Sequence, residues 1–117
     1  MAFKFEKLIV WQKAINISDL VHTLIKTFPV EERFVLSSQI QRAADSISLN
    51  IAEGSTGQTT PEFKRFLNIA LRSNVEVVAC LWLAKRRNII SAEMFTKIYV
   101  ACEEMLVMIN GLKASLK

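Results

Sequence analysis

Four stretches of the chain repeat apolar residues at helical spacing. In the first, Val10, Ala14, Ile17, Val21, Leu24 and Phe28 follow at steps of 4, 3, 4, 3 and 4, the seam of a helix packed along a partner helix. Leu8, Trp11, Ile15 and Ile25 widen that seam on one flank, and Phe28-Pro29-Val30 closes the element, because a residue before proline is pushed out of the α region. In the second, expected over about 31–53, Leu36, Ile40, Ala43, Ile47 and Ile51 repeat at 4, 3, 4 and 4. Glu31 and Glu32 suit its positive end. Gly54 stands where a left-handed closing residue costs glycine least. A loop, Gly54 to Thr59, follows.

The third element starts with Thr59 or Thr60 as cap, Pro61 in the first turn and Glu62 behind it. Phe63, Phe66, Leu67, Ala70, Leu71, Val77, Val78, Leu81 and Ala84 make its apolar face. Asn88-Ile89-Ile90 interrupts the pattern, and Ser91 caps a fourth helix. Its seam of Ile98, Cys102, Met105, Ile109, Leu112 and Leu116 steps by 4, 3, 4, 3 and 4. Four such helices with short connections predict an all-α fold, an antiparallel up-down-up-down four-helix bundle spanning residues 1–117 as one domain.

Composition sharpens this picture. In 117 residues, 51% apolar content with three Gly and two Pro leaves too few turn formers for a small β-sandwich or barrel. Ile9, Leu49, Trp82, Tyr99 and Leu106 fall outside the seams, so a lone bundle would expose several of them. Self-association is the expected remedy. The N-terminal stretch Met1–Lys7 is mixed in charge and lacks the apolar run of a secretory signal. The longest uncharged runs are shorter than a membrane span. A cytoplasmic protein with no membrane partner is expected, with Cys80 and Cys102 reduced and partly buried in helices.

The net charge of +4 is concentrated. Residues 1–63 hold six basic and seven acidic groups, residues 88–117 hold three of each, and residues 64–87 hold six basic groups against Glu76. At 100° per residue, Lys64, Arg65, Arg72, Arg86 and Arg87 share an arc of about 140° opposite the phenylalanine face. Arginine grips phosphate through a planar fork, so this stripe is the candidate nucleic-acid-binding surface. In a symmetric oligomer it would be repeated, and weak contacts would add. A merely solvated helix face is the plainer reading of the same charges.

On the second helix Gln39, Arg42, Ser46, Asn50 and Glu53 step by 3, 4, 4 and 3. This polar stripe beside the seam reads as a hydrogen-bonding network fixing helices and subunits in register. No histidine stands near it to make a catalytic pair, and no enzymatic activity is expected. His22 follows Asp19 in a single Asp-x-x-His step, whereas di-iron bundles need two with further carboxylates; no metal or other cofactor is called for. The Gly54–Thr60 segment lacks the Gly-Lys-Ser/Thr ending of a phosphate loop and follows a helix, not a strand. What survives there is an anion resting on the first N–H groups of helix three, near Lys64.

Taken in order, Val10-Trp11-Gln12-Lys13-Ala14, Phe28-Pro29 with Glu31-Glu32, Ser38-Gln39-Ile40-Gln41-Arg42-Ala43-Ala44, Ser46–Gly54, and Glu62-Phe63 with Arg65–Ala70 resemble the 23S ribosomal RNA intervening-sequence proteins. Asn50-Ile51-Ala52-Glu53-Gly54 is the most specific part of the match. The resemblance implies a small bacterial four-helix bundle that assembles as a homopentamer, without enzymatic activity. It also implies kinship with nucleic-acid-binding accessory proteins of diversity-generating retroelements. Family loops after the Glu-Gly pair are often basic, whereas this one reads Ser55-Thr56-Gly57-Gln58-Thr59, which shifts the nucleic-acid expectation onto helix three. Phe34-Val35-Leu36 and Ser48 replace the Phe-Gly-Leu and proline of many members, a change of helix-two geometry and not of fold. The sequence supports RNA or DNA binding first. A module that docks a protein such as a polymerase through exposed apolar residues, Trp82 among them, is the alternative.

Overall fold

The computed structural model describes residues 2–56 and 59–117. Four helices, α1 (Ile9–Ile25), α2 (Leu36–Ser55), α3 (Thr60–Arg86) and α4 (Ala92–Ser115), make a rod of 44 × 23 × 21 Å. Each packs on the next and α4 closes on α1, while the diagonal pairs do not meet. This is the antiparallel up-down bundle the seams predict. All the seam residues of α1, from Val10 to Leu24, and all those of α2 are buried. On α4 the burial runs from Ile98 to Ile109, with Leu112 and Leu116 packed half-buried at the end. Phe63, Leu67, Ala70, Val77, Leu81 and Ala84 fill the core from α3. Phe66, Leu71 and Val78 flank it half-buried. By length and composition α3 is apolar enough to cross a membrane; part of that apolar content lines this core and part faces outward.

Several expected boundaries move, each for a local reason. The first helix stops at Ile25, short of Phe28. Thr27 turns its hydroxyl onto the Leu24 carbonyl at 2.7 Å, and Pro29 forbids another helical turn before it. Phe28 still completes the seam, buried from outside the helix. The second helix begins at Leu36, not Glu31, because Val30–Glu32 form a separate 3-10 turn. From there Glu32 reaches forward, its carboxylate accepting from the Leu36 N–H at 3.4 Å. A further 3-10 turn, Lys4–Lys7, precedes α1 and sets Phe5 edge-on to Trp11 at 4.8 Å.

The caps of α3 and α4 fall where the sequence puts them. Thr59 accepts from the Glu62 N–H at 3.2 Å, and Ser91 from the Met94 N–H at 3.1 Å. Between them Asn88 takes a left-handed φ of 56°, a conformation asparagine tolerates better than most side chains. Ile89 then donates back to the Ala84 carbonyl at 3.1 Å, closing α3 in a Schellman turn.

Gly54 corrects the expectation more deeply. It lies inside α2 without a positive φ, and the helix runs on to Ser55. Its role is spatial. A Cβ on Gly54 would stand 2.6 Å from the Phe66 Cβ and 3.0 Å from the Phe63 ring. The absent side chain lets α3 lie directly on α2. Part of the expected loop, Gly57 and Gln58, lies outside the described residues.

Asn74, 2% exposed, donates from Nδ2 to the Cys102 carbonyl at 2.9 Å. Cys80 and Cys102 are both free and buried, deeper than expected. Burial pushes their thiols up, to about 11 for Cys80 and about 12 for Cys102.

Two predictions follow from this packing. Gly54→Ala should destabilise the fold by roughly 1–3 kcal/mol in a denaturant titration, although alanine is the better helix former by about 1 kcal/mol. A net gain would show that α2 and α3 are free to part. The cysteines titrate with a definite sign: an unfolded thiol loses its proton near 9.0, before the buried ones do. Stability should therefore fall as pH climbs from about 9 towards 11, and the slope should flatten in Cys80→Ala/Cys102→Ala.

Candidate nucleic-acid interface

The outward face of α3 is set by its inward one. With Phe63, Leu67, Ala70, Val77 and Leu81 in the core, the 100° helical step turns Arg65, Arg72 and Arg86 to solvent. All three are exposed, as is Arg87, while Lys64 is half-buried.

Their partners differ. Arg65 bonds Glu62 one turn back at 3.1 Å and lies 4.7 Å over the Phe66 ring. The bond and charge of Glu62 raise its pKa further. Arg87 bonds both oxygens of Glu32, at 3.0 and 3.2 Å, and so ties the end of α3 to the 3-10 turn that precedes α2. Among the described residues no carboxylate lies within ion-pair distance of Lys64, Arg72 or Arg86.

Nor is the stripe continuous. Between Arg72 and Arg86, about 20 Å along the axis, the exposed positions on the arc are Val75, Ala79, Trp82 and Leu83, with Val75 58% and Trp82 47% exposed, while Glu76 sits half-buried at the arc's edge beside the α2 cleft. Two basic ends thus flank an apolar middle. Counting charges alone overlooks that middle, although the residue order contains it. Lys85, off the charged arc, is the other residue overlooked. Its ammonium sits 5.0 Å from the ring centres of both Trp82 and Phe95.

The polar stripe of α2 faces α3 across an open cleft of about 570 Å³. Ser73 of α3 donates to the Ser46 hydroxyl at 2.8 Å. Asn50 donates to the Ser46 carbonyl at 2.8 Å and to its hydroxyl at 2.9 Å. At the far end of the cleft Gln39 bonds the Glu76 carboxylate. Gln39, Ser46 and Asn50 therefore take part in bonds within the chain. Arg42 and Glu53 stand exposed at the rim, and no side-chain bond joins them to other described residues. Asp19 and His22 are exposed on α1. At the start of α3 the Thr59 hydroxyl already takes the Glu62 N–H, one of the groups an anion there would use.

Comparison with known proteins agrees with the architecture. A family model described as 23S rRNA-intervening sequence protein matches residues 6–111. Among solved structures the chain is similar to a protein of unknown function from the S23 ribosomal protein family of Bacteroides thetaiotaomicron VPI-5482. The two share 29% identity with a TM-score of 0.84, over 90% of this chain and 98% of that one. No curated protein matches the chain.

If Ser46 and Ser73 join α2 to α3, Ser73→Ala should cost about 1 kcal/mol in chemical denaturation. Adding Ser46→Ala should then cost less than that substitution does alone, the coupling expected of direct partners. Full additivity would deny the bond.

Proposed function

This chain belongs to the 23S rRNA-intervening sequence protein family, and from that premise we propose a non-catalytic, self-associating bundle of the cytoplasm that binds RNA phosphates through the outward face of α3. The observation that carries this reading is the pair Arg72 and Arg86, exposed and without an ion-pair partner among the described residues. Arg65 and Lys64 extend the contact at one end of the helix. A phosphate backbone supplies what these guanidinium groups lack, in a bidentate geometry that suits them.

Self-association is supported by apolar side chains left in solvent on every helix. Ile9, Leu49, Val75 and Val107 are each more than half exposed. Burying them between copies would recover hydrophobic free energy that the single chain forgoes. The pentamer implied by the family resemblance would present five basic faces, so modest contacts per copy would sum to useful affinity. In that assembly Arg42 and Glu53, exposed at the α2 rim, would be placed to set subunit register.

A second reading is favoured by the connection between α1 and α2. Val30 and Phe34 there are 76% and 86% exposed, beside a cleft lined by Phe28 and Pro29. A protein partner such as a polymerase would cover this patch, and its complex would survive nuclease digestion.

Fluorescence anisotropy with a labelled RNA tests the leading reading. The logarithm of affinity should fall linearly with the logarithm of salt concentration. Arg72→Glu/Arg86→Glu should weaken binding by at least about a hundredfold at low salt while leaving the mass by light scattering unchanged. Salt-insensitive binding, no binding at low salt, or a lower mass in the double variant would each overturn it. Matched DNA in the same assay separates an RNA-specific protein from a general polyanion binder.

A further inference from the structure

The corner where α3 hands over to α4 holds more than charge. Trp82 is 47% exposed although the core at that height is already filled by Val77, Leu81 and Ala84. Its ring meets Phe95 edge-on at 5.0 Å and 72°, and Phe95 stacks on Tyr99 at 5.8 Å and 16°. The indole is thus braced from behind by two α4 aromatics. Lys85 lies 5.0 Å from both the Trp82 and Phe95 ring centres, and Arg86 is exposed beside it in sequence. The acidic residue closest in sequence on α4 is Glu93, in its first turn.

We propose that the Trp82–Lys85–Arg86 corner is a stacking site for an unpaired nucleotide of RNA, its base on the indole and its phosphate on the two cations. This rests on the RNA-binding reading above and adds the form of RNA that is bound. The chemistry selects it. A braced, half-exposed indole offers a flat apolar surface that every nucleobase can cover. The neighbouring cations call for an anion at the same place, and a nucleotide carries both. Paired bases keep their faces inside the duplex, so only a loop, bulge or single strand can present one. On binding, Lys85 exchanges a weak contact with aromatic rings for a phosphate. Arg72, some 20 Å away along α3, would hold the strand further along by charge alone.

The test uses the full-length protein with two probes, an oligouridine of about twelve nucleotides and a blunt RNA duplex of about the same length. Oligouridine should quench the fluorescence of Trp82, read in a Trp11→Phe background so that only one indole reports. Trp82→Ala should weaken oligouridine about tenfold without changing the salt slope or the duplex affinity, and Trp82→Phe should retain most of the binding. Equal losses on both probes, or binding without quenching, would overturn the stacking site while leaving the basic-face reading intact. A lower oligomer mass in Trp82→Ala would overturn it too, by showing that a second copy covers the indole. Failure of both probes to bind at low salt would sink this inference together with the reading beneath it.

Discussion

The contact between α2 and α3 at Gly54 governs the rest of the molecule. Because that residue has no side chain, the Phe63 and Phe66 turn of α3 can lie against the α2 backbone. The pairing then runs up the rod through Ser46 with Ser73, and Gln39 with Glu76. A helix of 27 residues held along one neighbour in this way has no freedom to roll. Its rotation decides which residues meet water. The small residue at one end of α2 therefore helps fix which way Arg72 and Arg86, about 10 Å and about 30 Å further along α3, face.

Within the outward face the cations are not equivalent, and their intramolecular partners rank them. The Arg65–Glu62 pair is exposed on both sides, at 61% and 43%. Such pairs contribute little, so a phosphate can replace the carboxylate at small cost. Arg87 is held differently. Its partner Glu32 is 17% exposed and also accepts from the first N–H of α2. Withdrawing Arg87 would strip a carboxylate that is serving a helix end, which makes this residue a brace between α2 and α3 before it is a ligand contact. Among the described residues Arg72 and Arg86 have no such second duty. The stripe that looks uniform by residue type is graded by what each guanidinium must give up.

Much of this was readable in the chain because helices announce themselves through period and punctuation. The seams gave buried apolar positions of α1 and α2, and those of α4 as far as Ile109. Thr59 with Pro61, and Ser91, placed the starts of α3 and α4 by the demand of free N–H groups for a cap. Other features depend on contacts between distant residues and carry no local signal. Gly54 next to a predicted helix end invites a left-handed reading, and only Phe66, twelve positions on, reveals it as a spacer. Phe28 continues the α1 spacing yet reaches the core from beyond the helix, because burial follows position in space and not helical membership. Asn74 gave no warning either, since an asparagine in an apolar face looks like a flaw until the Cys102 carbonyl stands opposite it.

The apolar middle of α3 bears on how assembly and ligand binding coexist in the proposed function. If one uninterrupted row of arginines ran the length of the helix, any neighbour packed on it would face unpaired charge and would have to supply carboxylates. Val75 and Ala79 remove that conflict around mid-helix, ahead of the Trp82 corner, where exposed apolar surface invites a neighbour. Arg72 and Arg86 flank it on either side and are positioned to remain at the rim of such a contact, where water and polyanions have access. Subunit packing and phosphate binding then use different stretches of one helix. On this view the break in the stripe is what allows the cations to stay open when copies come together, and a solvated helix face with no ligand would have no need of it.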